Sequence, residues 1–148
     1  MLTHLKKTIL VGLSPIQENL RLSELPSERG YRLMDVEWVK CQNDRWCHLE
    51  RVNVNAVETV GVYLIWHGGE TPRVVRVGQG EIAERLRWHR EDPQILAYNQ
   101  YGALYVTWAS VPADKRDGIE CYLTETWTPL ISKAFPMIFP ISVNSPFD

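Results

Sequence analysis

Between Gly61 and His67, Val62, Leu64 and Trp66 interleave with Tyr63, Ile65 and His67. This period of two predicts a strand with side chains to place on both faces. Gly68-Gly69 interrupts it, and Arg73 to Val77 predicts the returning strand of a hairpin. Gly78-Gln79-Gly80 ends that strand, and a helix is expected from Glu81 to Glu91, stopped by Pro93, with Ile82 and Leu86 as its buried stripe. Leu104 to Val111 predicts a further strand, rich in β-branched and aromatic residues. A second helix is expected from Asp114 or Asp117 to Thr128, halted by Pro129, with Ile119, Leu123, Trp127 and Leu130 on its apolar face. Upstream, residues 35–41 and 45–52 are strand-like runs around Asn43-Asp44, which predicts a second hairpin. Residues 1–34 show little periodicity and predict loops with a short helix near Ile16 to Leu22. The tail carrying Pro136, Pro140 and Pro146 is expected to run extended along the surface. The expected fold class is α+β: a small three-stranded antiparallel sheet flanked by helices over residues 59–148. An N-terminal extension, residues 1–58, adds loops and a β-hairpin packed on the core.

At 148 residues the chain is long enough for one buried core, and its apolar and charged fractions are those of a globular protein. No stretch approaches the length of a membrane span, so no membrane partner is expected. The apolar run Ile9-Leu10-Val11 behind Lys6 and Lys7 is too short for a secretion signal, and a cytoplasmic location is expected. Three cysteines without framework spacing fit a reducing compartment. Cys41, Cys47 and His48 match no usual spacing of zinc ligands, and buried thiols are the expectation.

The net charge of −2 is unevenly spread. Residues 73–90 hold five arginines against Glu81 and Glu84, a balance of +3; residues 91–148 hold three bases against seven acids, a balance of −4. A local basic strip suits the grip of a phosphate but is not the broad basic face of an autonomous nucleic-acid binder. Taken alone, Arg87 and Arg90 read as a solvated helix face.

Four polar residues sit at the edges of apolar surfaces. A hairpin turning at Gly68-Gly69 sets Tyr63 opposite Val74 and diagonal to Arg76, and a longer turn sets it opposite Arg76; either way the phenol and guanidinium share a face. Arg85 and His89, four apart, form a ridge beside the buried stripe of the first helix. Glu120 borders the apolar face of the second. Each has a plainer explanation. Tyr63 fits as a strand tyrosine, Arg85 as a partner of Glu81, His89 as a cation at a helix C-terminus, and Glu120 as the third position of a capping box begun by Asp117. Gly78 to Ala83 also fits the dinucleotide fingerprint G-x-G-x-x-A and offers a weaker, nucleotide-binding reading. A hairpin strand precedes it and too little chain follows for a doubly wound sheet.

Taken together, Gly61-Val62-Tyr63, Val77-Gly78, Arg85-Leu86 with His89, and Glu120 with Pro129 nine residues on resemble the GIY-YIG endonuclease superfamily. The resemblance covers about half the chain. It implies hydrolysis of DNA phosphodiester bonds with one divalent metal, Mg2+ or Mn2+, on a DNA partner that includes branched or single-stranded forms. It implies that Tyr63 helps activate the attacking water, Arg85 holds the scissile phosphate, His89 assists proton transfer and Glu120 binds the metal. The expected substrate-binding residues are Arg76, Gly78, Gln79 and Arg87. Two positions depart from the family pattern. Arg76 stands in place of the second motif's tyrosine, and a guanidinium holds a phosphate but is no base. Ser132 replaces the asparagine that often follows the proline. These departures motivate an alternative, a catalytically inactive GIY-YIG-like module that binds nucleic acid or a protein partner.

Overall fold

The structure, a computed structural model, describes residues 33–132 and 138–147. Its described residues form an α+β unit with one four-stranded antiparallel sheet and three helices. In chain order these are β1 (Cys47–His48), β2 (Val60–His67), β3 (Arg73–Glu81), α1 (Ile82–His89), α2 (Pro93–Leu96), β4 (Leu104–Ser110) and α3 (Ala113–Trp127). The strands lie side by side as β1-β4-β2-β3. The central strand β2 is thus bonded on both edges and buried on both faces, which is why its sequence is almost unbroken apolar. The expected sheet had three strands, and β1 is the fourth.

Alternation along β2 separates two cores. Tyr63 and Ile65 share one face with Val106 and Trp108 of β4 and with Ile82 and Leu86 of α1. Val62, Leu64 and Trp66 face the other way, onto Ile119, Leu123 and Trp127 of α3. Leu130, expected with that second set, packs in the first core instead, because the chain leaves α3 at Thr128. There the backbones of Leu130 and Ile131 bond to Val74 and Val75.

The hairpin register differs from both expected ones. Tyr63 lies opposite Gly78, and Ile65 opposite Arg76. A bulge then skips Val75, so that Trp66 meets Val74. The shared face survives, because Arg76 and Gly78 alternate with Val77 as Ile65 and Tyr63 alternate with Leu64. Strand β3 does not stop at the glycines but runs on through Gly80 to Glu81. Antiparallel pairing there excludes the dinucleotide fingerprint, which needs a parallel βαβ unit.

The expected N-terminal hairpin forms only in part. Asn43 and Asp44 adopt left-handed conformations, and Cys41 N–H bonds to the Arg45 carbonyl across this turn. No second ladder follows, because the flanking run bonds to β4 instead: Val39 N–H donates to the Trp108 carbonyl at 2.9 Å. The turn brings the Cα atoms of Cys41 and Cys47 to 5.1 Å, and the two form a disulfide rather than the expected free thiols. Cys121 is a free, buried thiol. Pro93 ends α1 as expected but also opens α2, where its fixed φ suits the first helical position and Asp92 caps with its side chain. The short helix expected near residues 16–22, and Pro136 in the tail, lie outside the described residues. Among the described residues no helix is long and apolar enough to cross a membrane.

Candidate active site

The site is built on β2, β3, α1 and α3, from residues whose positions follow from the register. Gly78 lies opposite Tyr63. A methyl group there would overlap the Tyr63 ring and hydroxyl, so only glycine leaves room for the phenol to lie across β3. The phenol reaches His89, with Oη 2.6 Å from Nε2. His89 is buried and engaged with Tyr63, not with the carbonyls at the end of its helix.

Gly80 has a φ of 127°, a conformation that side chains rarely adopt, and it swings the chain from strand into α1. It also makes room for Arg85, since a methyl group at Gly80 would stand 2.9 Å from Arg85 Nε. The Arg85 guanidinium also lies over the Trp88 ring, 4.8 Å from its centroid. Arg85 is therefore in contact with both a glycine backbone and an indole.

The electrostatics tie the group together. Burial raises the Tyr63 hydroxyl to about 12; Arg76 and Arg85 oppose that rise and Glu120 adds to it. His89 is pushed down to about 4, by burial first and then by Arg76, with Arg85 adding to the effect and Asp92 opposing it. Both groups are thus neutral near pH 7, within the field of two guanidinia. Among the described residues Arg76 Nε is buried without a hydrogen-bond partner.

Glu120 is 2 % exposed, a rare burial for a carboxylate. The plainer explanation, a capping box begun by Asp117, does not hold. Helix α3 begins at Ala113, one turn before Asp117, so Glu120 lies in the helix interior. Asp117 instead accepts a hydrogen bond from Gln79 Nε2 at 2.7 Å. Gln79 pairs with Val62 and so sits on the opposite face from Tyr63. Arg87 is exposed and donates to Asn55 at 2.8 Å. The structure therefore gathers Tyr63, His89, Arg76, Arg85, Gly78 and Glu120, and it turns Gln79 and Arg87 to other partners.

Gly80 and Trp88 complete this set and were not among the expected site residues. The signal for Trp88 was present: an indole three residues after Arg85, on the polar side of an amphipathic helix. Among the described residues no group of three or more His, Cys, Asp or Glu side chains is arranged to hold a metal ion. No protein-family model, no curated protein and no solved structure matches the chain.

Proposed function

We propose that this protein is a metal-dependent endonuclease that hydrolyses DNA phosphodiester bonds, with a GIY-YIG-like arrangement in which β2, β3 and β4 are the family's three strands. The observation that carries this reading is the 2.6 Å contact of Tyr63 Oη with His89 Nε2 inside the field of Arg76 and Arg85. It is a ready-made proton path beside two phosphate-binding groups.

In this reading the scissile phosphate lies against Arg85 and Arg76, whose fixed charges stabilise the extra negative charge of the transition state. As water attacks phosphorus and the P–O bond to the leaving sugar oxygen breaks, Tyr63 Oη accepts a proton from the water and passes its own to His89 Nε2, while solvent protonates the departing alkoxide. Burial is the first cause of the low value of His89, and Arg76 and Arg85 add to it; a bound phosphate would offset the arginine part, so substrate itself raises the histidine's affinity for that proton. Glu120 would hold the divalent ion. Among the described residues Glu120 is the one buried carboxylate, and a carboxylate oxygen is the hard donor that Mg2+ or Mn2+ prefers. Bound there, the ion would supply Lewis-acid stabilisation of the phosphoryl oxygens.

The test is nicking of supercoiled plasmid and of branched and single-stranded oligonucleotides with Mg2+ or Mn2+. Arg85→Ala and Glu120→Gln are expected to lose about a hundredfold or more in rate, and chelation to abolish cutting. Absence of nicking by the wild type, or nicking that survives Glu120→Gln, refutes the reading. A second reading, an inactive nucleic-acid- or protein-binding module, is favoured by Arg76 in place of a second phenol. It predicts binding without cleavage that Arg85→Ala and Glu120→Ala leave unchanged.

A further inference from the structure

We infer that Trp88 is a stacking platform for a nucleobase at the rim of the site, and that the substrate is DNA unpaired beside the cut. The placement at a cut rests on the nuclease reading; the stacking itself does not. Of six tryptophans, Trp88 alone is turned to solvent, at 54 % exposure, whereas Trp66, Trp108 and Trp127 are buried and Trp38 and Trp46 pack against the second core. With about 100° between successive helical residues, the order around α1 is Trp88, Arg85, His89, Ile82, Leu86. Exposure falls along that order, from Trp88 through half-buried Arg85 to His89 at 8 % and the two fully buried aliphatics. Trp88 therefore stands on the solvent side of Arg85, at the exposed edge of the group.

The chemistry of the ligand follows from this neighbourhood. One face of the indole is occupied by the Arg85 guanidinium. The rest is open apolar surface beside a cation that suits a phosphate. A nucleotide presents that combination, a flat π-face joined to a phosphate. Bases in a duplex have their faces covered by neighbouring pairs, so an indole platform favours an unpaired or extruded base. Trp88 would then set specificity for DNA form while Arg85 takes the phosphate of the same nucleotide.

Fluorescence anisotropy with labelled single-stranded and duplex oligonucleotides of one sequence, in the presence of a chelator, tests this. Trp88→Ala is expected to weaken single-strand binding about five- to hundredfold and duplex binding by a clearly smaller factor, and Trp88→Phe is expected to restore most of the loss. Single-stranded DNA should also quench the wild type's solvent-exposed tryptophan emission, and that quench should vanish in Trp88→Phe. Equal losses on both DNA forms would mean that Trp88 merely braces Arg85, and would overturn the inference. Unchanged single-strand affinity in Trp88→Ala, or no quench of the wild type at saturating DNA, would also overturn it. If Trp88→Ala does not fold, the wild-type quench and Trp88→Phe decide. A wild type that is quenched by single strands yet never nicks DNA refutes the nuclease reading and leaves this one standing. Nicking with no preference for unpaired DNA does the reverse.

Discussion

At the scale of single residues, the Tyr63–His89 pair is held neutral by its surroundings, and this makes stability depend on pH. His89 titrates near 4 in the folded protein against an ordinary 6.5 in the unfolded chain. Between those values the unfolded chain binds a proton that the folded protein refuses. Its contribution is therefore intact above about pH 6.5 and is lost as the pH falls toward 4. The size of that loss is on the order of 3 kcal/mol over the whole window. Urea unfolding of wild type and His89→Gln at pH 7 and pH 4.5 checks it: acidification should cost the wild type more than the variant. An equal cost in both would show that His89 is not the group responsible. The shared face of Tyr63 and Arg76 and the Arg85–His89 ridge were each legible in sequence, because alternation fixes faces and a four-residue step fixes a helix edge. The hydrogen bond itself was not. It depends on Gly78 lying opposite the phenol, and that register is set by a bulge at Val75 that no residue pattern announces.

At the scale of elements, short-range chemistry misled where two signals competed. Asp117-Gly118-Ile119-Glu120 has the form of a helix start, yet α3 already begins at Ala113, directly after Pro112. The carboxylate thereby moved from a capping position into the buried interior. Pro93 was legible as a stop, whereas its role as a start rests on the Asp92 side chain capping α2. The segment before β1 shows the same competition. Its turn at Asn43-Asp44 was legible, whereas the Cys41–Cys47 bridge depends on how tightly that turn closes. Closing so short a loop removes about 2 kcal/mol of unfolded-chain freedom. Reduction with dithiothreitol should lower the unfolding free energy by about that amount. The same reductant should leave a Cys41→Ser variant, already weakened, where it stands. A reductant effect that persists in Cys41→Ser would assign it to another thiol and remove the bridge from the account.

At the scale of the whole molecule, the sheet sets the Tyr63–His89 pair apart from a second core, and Glu120 is the site residue that α3 contributes. The α1 face holds Tyr63 and His89. The α3 face buries a second core that residues 34–38 and 143–147 close together. Met34 bridges to Val143 in parallel, and Val36 bonds through both its N–H and its carbonyl to the Asn144 side chain. Trp38 Nε1 donates to the Asn144 carbonyl at 2.9 Å. Phe147 then packs edge-on against Trp46, Trp66 and Trp127, with ring centroids 5.7, 5.0 and 5.0 Å away. That the segment before β1 packs on the core was expected, but these particular contacts were not legible, since contacts between residues more than 100 positions apart leave no local period. The α+β class was legible, because it needs only the sequence of strand and helix patterns. The division yields a prediction. Phe147 is partly buried, so Phe147→Ala should cost about 2 kcal/mol, less than a fully buried phenylalanine would. Because its contacts lie across the sheet from Tyr63, the folded variant should bind DNA, and cut it if the wild type does, at an unchanged rate. Denaturant titration and nicking assays well below the unfolding midpoint separate the two effects. A lost rate in a fully folded Phe147→Ala protein would mean that the two faces are coupled through β2. The tail would then belong to the working parts of the site as well as to its support.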